Sequence, residues 1–198
     1  MMEELKQRIR REGIVIMNGE ILKVDSFIDH QIDTGLMQKI GENFLEHFRG
    51  LGIADKITKI ITIEASGIAV AVVVGMFLGK PIIFARKKIP VTLIEKLYTR
   101  KIISPTKNNE VELVISSKFL SRDDSVYILD DFLASGTTSI ALIDMVRESG
   151  AKVLGVGAII ENAFQGGRNK IKEKYPEIDV YGVVSIKSMK ESGEIEFV

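Results

Sequence analysis

Val126–Thr138, VYILDDFLASGTT, is the stretch that decides the fold of this chain. Val126 to Leu129 are apolar and have the length of a buried strand, and Thr137 to Ser149 (TTSIALIDMVRES), stopped by Gly150, has the composition of a helix. The small residues between them lie where a strand ends and a helix begins. At such a junction, free backbone N–H groups and the positive end of the helix dipole form a site for a phosphate monoester. Ser135, Thr137 and Thr138 add hydroxyl donors, and Gly136 lets an anion approach the backbone. Asp130 and Asp131 stand just before the loop and would repel a phosphate. They suit the hydroxyls of a sugar that carries one, because each hydroxyl can donate to a carboxylate. The implied ligand is a ribose 5-phosphate. An ordinary buried strand and turn would explain the apolar run and the glycine, but not two carboxylates followed at fixed spacing by Ser, Gly, Thr and Thr.

Order and spacing in this stretch resemble the thirteen-residue phosphoribosyl pyrophosphate (PRPP) signature of the type I phosphoribosyltransferases. The resemblance extends over nearly the whole chain and is similar to the bacterial xanthine phosphoribosyltransferases. It is carried by ILKVDSFIDHQID (21–33), TIEASGIA (62–69), FARK (84–87), DDFLASG (130–136) and IIENAFQGGR (159–168). It implies the type I fold, one phosphoribosyltransferase domain over 1–198, and a small hood from about 1–40 plus the C-terminal part. It also implies Mg²⁺ bound with PRPP, a purine base as second substrate, and a homodimer.

The pattern along the chain agrees with an α/β class. Ile14–Val24 holds two short apolar pieces around Asn18-Gly19, a hairpin signal. Leu36, Ile40, Phe44 and Phe48 fall on one helical stripe. Residues 57–63 (ITKIITI) read as a strand, 67–78 as a helix, 81–85 as a strand, and 153–160 as a further strand after the helix at 137–149. This alternation argues for a central parallel sheet flanked by helices, with ligands beyond the carboxyl ends of the strands. Residues 86–117, with two prolines and many charges, read as a surface hairpin able to fold over a ligand.

Two further loops complete the expected site. Glu64–Gly67 (EASG) also runs from a strand into a helix, so its N–H groups can hold a second anion. By resemblance, Ala65, Ser66 and Gly67 bind pyrophosphate. Arg86, Lys87 and Lys88 form a cationic triplet that would otherwise be a solvated face; the resemblance sets it beside the diphosphate, with Arg86 and Lys87 as contacts. Leu22, Phe27 and Phe164 are candidate apolar walls for a base. Two positions depart from the xanthine-type pattern at the base edge: Asp29 replaces Asn and Asn162 replaces Lys. A lysine only donates, Asn162 can donate or accept, and ionised Asp29 only accepts. An acceptor at 29 suits an amino or ring N–H group, as in guanine, or adenine by another route.

Composition excludes other classes. The chain has 198 residues, 45% apolar, with Lys plus Arg and Asp plus Glu both at 27 and no cysteine. The length suits one sizeable core. Formal neutrality gives no electrostatic footprint for nucleic acid or an anionic membrane, and the missing cysteine removes thiol nucleophiles, disulfides and Cys-ligated zinc. His30 and His47 show no metal-ligand spacing, and no protein side chain is singled out as a metal ligand. The N-terminal MMEELKQRIRREG is a charged amphipathic helix rather than a signal peptide, and Ile68–Leu78 is too short to span a bilayer. The chain reads as cytoplasmic. The catalytic candidates are Asp130, Asp131 and Arg86, with Ala134–Thr138 as the phosphate loop. The competing class is a PRPP-sensing purine-operon regulator, for which no DNA-binding segment precedes residue 13; a pyrimidine transferase is disfavoured by 21–33.

Overall fold

In the computed structural model, the described residues are 2–88, 97–103 and 110–198. The chain starts with helix α1 (Met2–Glu12) and a hairpin of strands β1 (Ile14–Ile16) and β2 (Ile21–Lys23), followed by helix α2 (Thr34–Gly50). Then come β3 (Lys59–Ile63), α3 (Gly67–Leu78), β4 (Ile82–Ala85), β5 (Leu97–Ile103) and β6 (Glu110–Ser116). The remainder is β7 (Ser125–Leu133), α4 (Thr137–Glu148), β8 (Lys152–Asn162), α5 (Gly167–Lys174), β9 (Asp179–Met189) and β10 (Ile195–Phe197). The central sheet has the order β10-β9-β8-β7-β3-β4. Every pairing in it is parallel except that of β10 with β9.

The sheet separates two apolar layers because successive side chains of a strand point to opposite faces. In β7, Tyr127 and Leu129 join the layer of α1, α2 and α3, while Val126 and Ile128 join the layer of α4 and α5. The stripe read on α2 is the one buried: Leu36, Ile40, Phe44 and Phe48 are all core. Truncating a buried aromatic such as Phe44 costs about 3 to 5 kcal/mol. Asp33 caps α2, its carboxylate accepting the Leu36 N–H at 3.1 Å; such a cap contributes about 1 kcal/mol. β5 and β6 pair antiparallel, and Arg86 bridges to Val114 of β6. The expected closing arm lies partly on 89–96 and 104–109, outside the described residues. No described helix is long and apolar enough to cross a membrane.

Two boundaries differ from the sequence reading, and one physical reason covers them. β7 runs to Leu133, so Asp130 and Asp131 lie inside the strand rather than after it, and β8 continues to Asn162. Parallel pairing with β8 carries the polar residues along, Asp130 opposite Ala158 and Leu133 opposite Glu161. The short polar helix α5 and the last two strands were not read from sequence.

Candidate active site

At the carboxyl ends of β7 and β8 the chain makes one turn each into a helix, and the two turns lock together. Gly136, at φ +77, begins α4, and a Cβ there would stand 2.9 Å from the Gly167 carbonyl oxygen. The Gly167 N–H donates to the Ala134 carbonyl at 3.0 Å. Only glycine at both places lets these backbones touch. The first turns of α4 and α5 are thereby held side by side. Ser135 Oγ and Thr137 Oγ1 are 3.1 Å apart, so the hydroxyls of the first loop converge at the helix N-terminus.

These turns floor a cavity of about 930 Å³. Its wall includes Asp130, Asp131, all of Ala134–Thr138, Leu22, Asp29, Asn162 and Phe164. The opposite side is the β1–β2 hairpin, whose turn residues Met17, Asn18 and Gly19 all have positive φ. That hairpin is tethered twice: Asn18 N–H donates to Glu191 Oε1 at 2.7 Å, and Gln165 Nε2 donates to the Glu20 carbonyl at 2.9 Å. Met17, Asn18, Gln165 and Met189 also face the cavity. The Asn18-Gly19 signal marked the hairpin in the sequence without indicating what it covers.

Phe27 is a correction. Its ring is fully buried in the core, beneath the Arg8 guanidinium at 5.3 Å, and forms no part of the cavity wall. The turn Asp25–Asp29 winds as a single wide helical turn that sends Phe27 inward and leaves Asp29 at the wall. Phe164, by contrast, is 41% exposed and on the wall.

Ala65, Ser66, Gly67, Arg86 and Lys87 do not line the cavity. Gly67 is packed so closely that a Cβ would lie 2.8 Å from Asp130 Oδ1 and 2.3 Å from Thr62 Oγ1. The Lys87 N–H donates to Glu64 Oε1 at 2.7 Å, tying the second loop to the end of β4. Arg86, Lys87 and Lys88 are exposed.

The electrostatics of this end are dominated by crowded carboxyls. Burial, then the adjacent Asp131 carboxylate, push the Asp130 carboxyl well above the usual carboxylate range, against the opposing charge of Lys87. Asp130 Oδ1 also accepts the Asp131 N–H at 3.0 Å. Burial, reinforced by Asp131 and Asp25, raises Asp29 to about 6. Asp29 Oδ1, Asn162 Oδ1 and Thr62 Oγ1 are buried without a hydrogen-bond partner among the described residues. Buried polar atoms normally have one, and those of Asp29 and Asn162 belong to side chains of the cavity wall, so a polar ligand is the natural complement of this cavity. Among the described residues no group of three or more His, Cys, Asp or Glu stands together to cage a metal ion.

Fold and site together define an α/β protein whose cavity is floored by strand-to-helix turns at the carboxyl ends of parallel strands. Residues 30–194 match the model of the phosphoribosyl transferase domain, and the chain belongs to that family. It is 47% identical over 198 residues to a xanthine phosphoribosyltransferase of Ectopseudomonas mendocina, covering 99% of each chain. A Pseudomonas putida xanthine phosphoribosyltransferase is 46% identical over 197 residues, covering 100% of both. Solved adenine phosphoribosyltransferases share the fold. That of Thermoanaerobacter pseudethanolicus gives a TM-score of 0.71 at 20% identity, covering 93% of this chain and 99% of its own. The Saccharomyces cerevisiae enzyme, complexed with adenine, gives 0.73 at 21%, covering 91% and 99%.

Proposed function

We propose that this protein is a purine phosphoribosyltransferase, which joins a purine base to PRPP and yields the nucleoside 5'-monophosphate and pyrophosphate. The observation that carries the reading is the single cavity that combines the signature loop, paired aspartates and an apolar wall. Full-length similarity to curated xanthine phosphoribosyltransferases supports it. Nothing comparable supports the regulator reading.

In the proposed reaction the C1–oxygen bond to the diphosphate breaks as a base nitrogen bonds to C1, through an oxocarbenium-like state, and the proton of that nitrogen passes to solvent. Catalysis then rests on positioning and charge stabilisation, with no covalent enzyme intermediate. Ala134–Thr138 would hold the 5-phosphate at the start of α4. Asp131 would accept a ribose hydroxyl; Asp130, held toward its neutral form, can donate as well as accept. Ala65–Gly67, Arg86 and Lys87 would meet the diphosphate, and Leu22, Asp29, Asn162 and Phe164 the base. Mg²⁺ fits as a passenger of the substrate, since this ion takes one or two carboxylates plus phosphate oxygens rather than a protein cage. It would neutralise the departing diphosphate. The β1–β2 hairpin, with the C-terminal strands that tether it, would act as the hood.

A homodimer also belongs to this reading. α3 is apolar all round, and Val72, Met76 and Phe77 on its outer side are 40%, 77% and 39% exposed; a face of that kind calls for a partner. A cytoplasmic location fits the substrates.

The test is to incubate the protein with PRPP, Mg²⁺ and each purine base and to separate the nucleotides chromatographically. Formation of one purine monophosphate supports the reading. A protein that binds PRPP but makes none points back to a sensor.

A further inference from the structure

We propose that Asp29 and Asn162 read the base as guanine. This rests on the cavity being a purine site and goes further by choosing among purines. Both residues line the cavity, and the Oδ1 of each is buried without a hydrogen-bond partner among the described residues. Ionised, Asp29 has acceptors alone to offer the cavity, and Asn162 has its amide nitrogen to donate.

Guanine offers the complement along one edge: a C6 carbonyl that accepts, then a ring N1–H and a 2-amino group that donate. The carboxylate of Asp29 would take N1–H and the amino group, and the amide nitrogen of Asn162 would donate to O6. Hypoxanthine lacks the amino group and forfeits one of these bonds. Adenine turns a bare N1 acceptor toward Asp29. Xanthine turns a C2 carbonyl toward it, which brings two acceptors together. Xanthine is also the most acidic of the four bases, and its anion would meet Asp29 and Asp131 in the cavity wall. Lys23, on the same wall, is paired to Asp25 at 2.9 Å and is not free to offset them.

Steady-state kcat/KM for guanine, hypoxanthine, xanthine and adenine with the unaltered protein is the decisive measurement. A site built to bond a donor rejects analogues without it steeply, so guanine should exceed hypoxanthine by about ten-fold and xanthine by about a hundred-fold. Asp29→Asn should narrow the guanine to xanthine ratio by about ten-fold, because its amide nitrogen can donate to the C2 carbonyl; a thermal melt checks that the variant is folded. Xanthine used as well as guanine by the unaltered protein would overturn the assignment while leaving phosphoribosyl transfer intact. Turnover of none of the four would overturn both.

Discussion

Asp131 is the residue whose loss should be felt most simply. It lines the cavity beside a buried partner that carries less charge, so it is the better anchor for a ribose hydroxyl. Asp131→Asn should weaken transition-state binding by about 1.5 to 3 kcal/mol, the range for a hydrogen bond to a charged group, seen as a fall in kcat/KM for PRPP with no fall in melting temperature, since the substitution relieves repulsion on Asp130 and Asp29. Asp29 gives a pH signature of its own. Burial and neighbouring carboxylates raise it to about 6 in the fold, above its unfolded value, so its ionisation disfavours the folded state. The cost is absent below about pH 4, grows between about 4 and 6, and is complete at neutrality. Asp29→Asn should therefore stabilise the protein by about 1 to 2 kcal/mol at pH 7.5, after allowance for partial exposure, and by nothing at pH 4. Denaturant titrations at the two pH values check the sign. At this scale the sequence was a good guide where chemistry is local: Asp130, Asp131 and Ala134–Thr138 all meet in one cavity. It could not decide Phe27, because an aromatic ring suits a ligand wall and a core equally, and only the winding of 25–29 chooses.

Among the elements, the loop between β8 and α5 is held against the loop that opens α4, the Gly167 N–H donating to the Ala134 carbonyl. Its anchor is Arg168, which forks onto both oxygens of Glu161, a residue whose side chain is 2% exposed. Ser185 Oγ donates to the same carboxylate at 2.7 Å. Arg168→Met would leave a buried charge unpaired, at a cost of about 3 to 5 kcal/mol. Adding Glu161→Gln should restore much of that loss. Thermal or chemical denaturation of the single and double variants separates the outcomes, and equal stability of Arg168→Met and the unaltered protein would contradict the anchoring role. The strand and helix periods made α2, α3 and α4 legible beforehand. α5 was not, since GRNKIKEK is almost wholly polar and only Gly167 and Ile171 are buried. Its place comes from the backbone contact with Ala134 and Gly136, which no periodicity records.

For the whole molecule, the alternation of strands and helices was enough to give a parallel sheet, and the cavity lies at the carboxyl ends of its strands β7 and β8. The antiparallel β10 at the sheet edge and the hairpin over the cavity depend on long-range contacts such as Asn18 with Glu191, which a local reading does not see. The exposed apolar side of α3 leads to an expectation about assembly: sedimentation equilibrium should give a dimer, and Met76→Glu should shift it to monomer by setting a charge where apolar surface would be buried. A monomeric unaltered protein at micromolar concentration would rule that interface out.

The most direct trial of the account is to measure pyrophosphate and purine nucleotide in one reaction started with PRPP, Mg²⁺ and a purine base. Phosphoribosyl transfer requires the two products to appear together and in equal amounts, and both to fall in parallel in Asp131→Asn. Pyrophosphate released without nucleotide, or neither product from any purine, would contradict it.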